Sequence, residues 1–207
     1  MKIQLRKSLV LASGSKTRRD LLEQAGIDIQ VFPVDFDEES LRQTEIARGT
    51  PIRDIALKLA EAKAFAAAES FASDHIILAA DQILELEGRI FSKPQTMEQA
   101  VAHLQSMRGN THTLQTAMVL YADKKIIWRH ISAPKLTMRN ISDDFIQGYV
   151  KAEGPNVLQS VGVYRIEAMG IHLFSNINGE RDAILGLPML PLLEILRRLD
   201  ILADDFC

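Results

Sequence analysis

The chain has 207 residues, with 24 Lys and Arg against 27 Asp and Glu and a formal net charge of −3. That balance excludes a molecule drawn to nucleic acid or anionic membrane by global positive charge, so any anion site must be local; the length suits a single domain, read here as one domain in two lobes. The lone cysteine, Cys207, excludes a disulfide framework and a cysteine-based zinc site and fits a reducing compartment.

The apolar run 9–12 is too short for a signal-peptide core, and no stretch approaches the ~20 apolar residues of a membrane span, so the expected location is the cytoplasm. In chain order, residues 8–12 read as a buried strand and 16–25 as a helix, with Ser15 as N-cap and Gly26 as its stop. Residues 29–33 read as a strand. The acidic stretch Asp35-Phe36-Asp37-Glu38-Glu39 follows, with no element assigned to it. A long helix is expected over 51–72, capped by Thr50 with Pro51 at its first position. Residues 76–80 form an apolar strand. Residues 83–86 and 89–91 flank Glu87-Gly88, a hairpin signal. Residues 97–108 are a helix, opened by the capping box Thr96-Met97-Glu98-Gln99 and stopped by Gly109. Strands follow over 111–121 and 125–137, joined at Asp123-Lys124. The remaining elements are a helix over 142–152, strands over 161–167 and 171–176, and a closing helix over 188–199. The alternation of strands and helices gives an α/β or α+β class.

Chemistry gathers at four places. The segment Ser13-Gly14-Ser15-Lys16-Thr17-Arg18-Arg19 stands where a strand passes into a helix. A helix N-terminus there offers unpaired N–H groups, hydroxyls and cations to an anion. Asp81 follows the apolar run 76–80 and is expected at a strand end, where α/β folds collect reactive groups. Asp35, Asp37 and Glu38 supply hard oxygen ligands of the kind Mg²⁺ takes. Lys63 lies on the helical face of positions 52, 55, 56, 59, 63 and 66, whose other members are Ile, Ala and Leu. A lysine in that stripe either snorkels to the core edge or reaches a cleft that needs a cation. Lys93, held extended before Pro94, and His112, opening a strand, carry little alone.

In order, these pieces resemble the Maf family of nucleoside triphosphate pyrophosphatases. The resemblance rests on Leu11-Ala12-Ser13-Gly14-Ser15-Lys16-Thr17-Arg18-Arg19, Asp35-Phe36-Asp37-Glu38, Ala60-Glu61-Ala62-Lys63-Ala64, Ala80-Asp81-Gln82, Ser92-Lys93-Pro94, Arg108-Gly109-Asn110-Thr111-His112 and Gly186-Leu187-Pro188. It implies an α/β fold with a mixed twisted sheet, flanking helices and two lobes around a deep cleft, similar to the inosine triphosphate pyrophosphatases. It implies hydrolysis of a nucleoside triphosphate to a monophosphate and pyrophosphate with a divalent cation, Mg²⁺ or Mn²⁺, and a homodimer with no nucleic-acid or membrane partner. By the same resemblance, Asp81 is the proton acceptor or a metal-linked carboxylate and Glu38 binds metal or orients water. Arg18, Lys63 and Lys93 hold phosphates, and Ser13 donates to substrate. Gln82 is similar to the family branch acting on 7-methyl-GTP, where another branch has Thr. The chain departs from the pattern at Lys16-Thr17, at Ser92 and over residues 153–162. A nucleotidyltransferase and a non-catalytic nucleotide-binding regulator of division are the rival readings.

Overall fold

The structure is a computed structural model in which residues 3–71 and 75–206 are described. Ala72, the expected end of the long helix, and Cys207 lie outside them. The fold is α/β, with a mixed eight-stranded sheet and seven α-helices among the described residues. The chain divides into two compact units, one of Met1–Gln82, Thr116–Ser132 and Arg181–Cys207, the other of Ile83–Gln115 and Ala133–Glu180.

The first unit holds β1 (Ile3–Leu5), β2 (Leu9–Leu11), α1 (Lys16–Gln24), β3 (Gln30–Val31), α2 (Glu38–Ala47), α3 (Ile52–Ala68) and the first part of β4 (Ile76–Leu86). β2 runs parallel to both β3 and β4, as strands joined by crossover helices do. β4 is one continuous strand through 76–86, where the sequence predicts two with Asp81 at an end. Asp81 and Gln82 therefore lie inside a strand, because the alternation of apolar positions continues through Ile83, Leu84 and Leu86 without a breaking residue.

β6 (Thr111–Ala122) continues the sheet and pairs antiparallel with β7 (Lys125–Ser132) through the turn Asp123-Lys124, both at positive φ as a tight hairpin requires. α6 (Arg181–Ile184), α7 (Met189–Arg198) and β10 (Leu202–Phe206) complete the unit, β10 pairing with β1. Leu9 and Leu11 of β2, Ile76, Leu78 and Ala80 of β4 and Met118 and Leu120 of β6 join Leu22 of α1 and Leu192 and Leu196 of α7 in one buried cluster. The intervening residues Ile77, Ala79 and Asp81 are turned to the opposite face. On α3 the buried positions are Ile55, Ala56, Leu59, Ala60, Lys63, Ala64 and Ala67, so the lysine does sit on the inward stripe.

α2 is not apparent from the sequence pattern. Asp37 caps it, accepting from the Ser40 N–H at 2.9 Å and its hydroxyl at 2.6 Å, and Glu38 and Glu39 suit its first turn.

The second unit takes the remainder of β4 with β5 (Arg89–Phe91), α4 (Met97–Met107), the start of β6, β8 (Lys135–Met138), α5 (Asp143–Glu153) and β9 (Phe174–Asn178). The expected capping box forms in part: the Gln99 N–H donates to Thr96 Oγ1, while the Gln99 side chain accepts from the Gln95 N–H. The expected strand over 125–137 is two strands, β7 and β8, broken at Ala133-Pro134, where proline lacks a ladder donor. No strand forms over 161–167. A Cβ on Gly162 would lie 2.3 Å from the Tyr164 ring and one on Gly170 2.5 Å from the Arg165 carbonyl, so this segment is folded tightly on itself and leads into a 3-10 helix at Met169–Leu173. His112 is wholly buried, its Nε2 2.7 Å from the Tyr164 hydroxyl, and burial pushes its pKa down to about 4.

Candidate active site

The first unit brings five of the singled-out residues together. The loop after β2 returns Ser13 to the N-terminus of α1, where Ser15 caps the helix and its hydroxyl accepts from the Arg18 N–H at 3.4 Å. Placing Arg18 one turn into α1 sends its guanidinium inward. Nη1 donates to Ser13 Oγ at 3.2 Å and to the Ala80 carbonyl at 2.8 Å, and Nε donates to the Gly186 carbonyl at 2.9 Å. Burial lowers the pKa of Arg18, and the negative charges of Asp81 and Glu38 oppose that shift. The guanidinium still stays charged at any ordinary pH.

Asp81 and Lys63 form a buried pair. Lys63 Nζ donates to Asp81 Oδ1 at 2.6 Å, with side chains 11% and 8% exposed. Glu38 Oε1 lies 3.3 Å from the same Nζ. Three elements thus meet at one ammonium: α2 through Glu38, α3 through Lys63 and β4 through Asp81. A lysine among apolar helix positions is costly unless paired, and here it is paired twice. Of the acidic stretch, Glu38 turns to this cluster and Asp37 is occupied as the α2 cap, its pKa lowered by the Ser40 bonds. Asp35 is exposed.

Gln82 turns to other partners than its neighbour Asp81. Its Nε2 donates to Thr116 Oγ1 at 2.8 Å and to the Ala183 and Ile184 carbonyls at 3.0 and 3.2 Å. Thr116, fully buried, donates in turn to the Ala183 carbonyl at 3.0 Å. Lys93 belongs to the second unit, exposed between β5 and α4, its carbonyl accepting from Gln95 Nε2 at 3.2 Å.

Sequence reasoning missed Thr116, which fixes the Gln82 amide, and it gave Gly186 no physical role. Gly186 has φ +93°, and a Cβ there would lie 3.3 Å from Arg18 Nε. The glycine before Leu187-Pro188 was visible in sequence; its contact with Arg18 was not.

A divalent cation fits this donor set. Glu38 and Asp81 are hard oxygen donors, and a single cationic atom, Lys63 Nζ, already touches both, so their carboxylates lie within reach of one ion. Among the described residues no group of three or more His, Cys, Asp and Glu side chains gathers into a metal cage. Ligands beyond two carboxylates would come from substrate oxygens and water, the usual arrangement for Mg²⁺.

Residues 8–199 match the family model described as Maf-like protein. The chain belongs to this family. It is 50% identical to a nucleoside triphosphate pyrophosphatase of Gluconobacter oxydans (strain 621H), over 95% of this chain and 97% of that one. It is 44% identical to a nucleoside triphosphate pyrophosphatase of Hyphomonas neptunium (strain ATCC 15444), over 92% of this chain and 95% of that one. It is also 44% identical to a 7-methyl-GTP pyrophosphatase of Rhizobium meliloti (strain 1021), over 92% and 96%. Among the described residues no helix is long and apolar enough to cross a membrane.

Proposed function

We propose that this Maf-like protein hydrolyses a nucleoside triphosphate to the monophosphate and pyrophosphate with the help of a divalent cation. The observation that carries the reading is Lys63 Nζ held between Asp81 at 2.6 Å and Glu38 at 3.3 Å in the same unit as the buried Arg18. Relatives similar over nearly their whole length are named for this reaction.

Water adds to the α-phosphorus, the bond from that phosphorus to the bridging oxygen of the β-phosphate breaks, and pyrophosphate leaves. Asp81 takes the proton from the attacking water. Its Oδ1 is oriented by Lys63, so the carboxylate is held in one rotamer. Charge builds on the phosphoryl oxygens, and cations aimed at them lower the barrier. Lys63 supplies one such cation, with Arg18 of the same unit as a further phosphate ligand. Ser13, whose Oγ accepts from Arg18, keeps its own O–H to donate to substrate. Glu38 and Asp81 would hold the metal, which neutralises phosphate charge and favours ionisation of bound water.

The preferred base is proposed to be a modified guanine such as 7-methyl-guanine, since Gln82 stands where that branch of the family carries glutamine and two relatives at 44% and 42% identity are named 7-methyl-GTP pyrophosphatase. The test is pyrophosphate release with Mg²⁺ or Mn²⁺ across the common nucleoside triphosphates together with 7-methyl-GTP, 5-methyl-UTP and pseudo-UTP. Metal-dependent release with 7-methyl-GTP preferred is the expected result. Nucleotide binding without release under either metal would overturn the hydrolase reading, and release with another base preferred would overturn only the substrate.

A further inference from the structure

Glu45 is an ionisable side chain with no part in the chemistry just described, yet only 2% of the residue is exposed. It lies on α2 seven residues after Glu38. Two helical turns separate them, so both point from one side of α2. Glu38 meets Lys63 of α3, and Glu45 meets Lys58 of α3 at 2.5 Å.

The second contact is much the better anchored. Glu45 Oε2 also accepts from Thr50 Oγ1 at 2.7 Å, and Oε1 accepts from Arg48 Nη1 at 2.9 Å. The backbone adds to it: the Thr50 N–H donates to the Glu45 carbonyl at 3.0 Å and the Gly49 N–H to the Ile46 carbonyl at 2.9 Å, with Gly49 at φ +71°. That is the Schellman ending of a helix. One residue therefore ties the end of α2, the turn and α3 together. The opposite end of α2 has its Asp37 cap and then Glu38, whose side chain is 40% exposed and whose contact with Lys63 is the longer of the two.

We infer that Glu45 is a positioning residue: it fixes the lie of α2 on α3 and so sets how far the Glu38 carboxylate stands from Lys63 and Asp81. The inference rests on the role given to Glu38 under the proposed function. A ten-residue helix held at one end by a buried, triply bonded carboxylate moves as a lever, and loosening the anchor displaces the far tip. Groups that act on a metal through its ligands commonly alter affinity about tenfold or more.

The test uses the full chain and Mn²⁺ alone as probe, with equilibrium binding followed by electron paramagnetic resonance and half-saturating Mn²⁺ for pyrophosphate release measured beside it. Glu45→Gln is expected to weaken Mn²⁺ binding by about tenfold. Lys58→Met, at a half-exposed position that leaves the Thr50 and Arg48 bonds in place, should shift it in the same direction by less. Hydrogen exchange over residues 38–47 should rise in both. A purely structural Glu45 would lower the melting temperature with Mn²⁺ affinity and half-saturation unchanged in both variants, and that result overturns the inference. Glu38→Gln separates the two failures. If it leaves Mn²⁺ binding unchanged, the role of Glu38 itself is wrong; if it weakens binding while Glu45→Gln and Lys58→Met do not, only the positioning role falls.

Discussion

Lys63 on α3 reaches Asp81 in the middle of β4 at 2.6 Å, so that the helix and the strand are joined by an ion pair with both side chains about nine-tenths buried. The pair is a consequence of two periodicities. The 3.6-residue repeat turns position 63 inward with Leu59, Ala60 and Ala64, and the two-residue repeat turns 81 to the face of Ile77 and Ala79. Removing Lys63 does more than delete a contact, because Asp81 is left as a charge away from water, whereas without Asp81 the lysine keeps Glu38.

Asp81→Asn keeps the shape of the side chain and leaves Lys63 with Glu38. Its fold and nucleotide binding should survive, while kcat falls by about 10²–10⁴, the share of a lost general base. Circular dichroism and nucleotide titration beside pyrophosphate release check this; a variant that hydrolyses at the wild-type rate removes Asp81 from the mechanism. Lys63→Met should instead cost about 3–5 kcal/mol of stability, since it strands a buried carboxylate. Urea unfolding measures the loss.

Gly186→Ala probes the turn that offers its carbonyl to Arg18. A side chain at φ +93°, with its Cβ 3.3 Å from Arg18 Nε, should cost about 1–2 kcal/mol in backbone strain alone. If Arg18 works at the site, kcat/KM should drop by more than the stability loss accounts for. Equal activity per folded molecule would confine the glycine to the turn.

Thr116→Val deletes a hydroxyl that accepts from Gln82 and donates to the Ala183 carbonyl. About 0.5–1.5 kcal/mol of stability should be lost, the net worth of a deleted hydrogen bond, since the Ala183 carbonyl keeps the Gln82 amide as its donor. With one of its three acceptors gone, the Gln82 amide is less firmly held, and the kcat/KM ratio between 7-methyl-GTP and GTP should narrow. An unchanged ratio would separate Gln82 from base choice.

Stability should depend on pH in two adjacent windows. His112 has its pKa lowered from 6.5 to about 4 by burial, so the unfolded chain binds the proton first. Its contribution is full above pH 6.5 and is lost as pH falls towards 4, amounting to up to about 3 kcal/mol. Glu45 has its pKa lowered from 4.5 to about 2, first by the Lys58 hydrogen bond and then by Thr50, and its contribution is lost as pH falls from 4.5 towards 2. Unfolding free energies from pH 7 to 3 should show the first slope in the wild type and a shallower one in His112→Phe, where His103, its pKa also lowered by burial, still contributes.

The inward lysine, the Ser15 cap, the Glu87-Gly88 turn and the strand that follows it were legible because each rests on a local rule that the packed protein also obeys. The continuity of β4 through Asp81-Gln82 was not, since two polar residues after an apolar run read as its end, while their hydrogen-bond partners lie 18 and 101 residues away. α2 was hidden for a similar reason. Its sequence EESLRQTEIA is polar nearly all round and has no apolar stripe; it is fastened by Glu45, Thr50 and Lys58. The unassigned run from 34 to 49 was itself a sign, because so long a structureless connection is uncommon in a compact domain. Of the candidate site, Asp81, Lys63, Glu38, Arg18 and Ser13 stood out in the sequence one by one, and the contacts by which Glu38 and Asp81 share the Lys63 ammonium did not. The carbonyls of Ala80 and Gly186 that hold Arg18 have no signature in any side chain.

Asp81 and Gln82 are adjacent in sequence and back to back in space, one bonded to α3 and the other to α6. Variation at position 82 therefore falls on a different set of neighbours from the ion pair. A substitution there would be absorbed by Thr116 and the end of α6 and would leave the Lys63–Asp81 pair untouched. The pleat of a single strand thus lets a substitution at one residue leave the contacts of its neighbour in place.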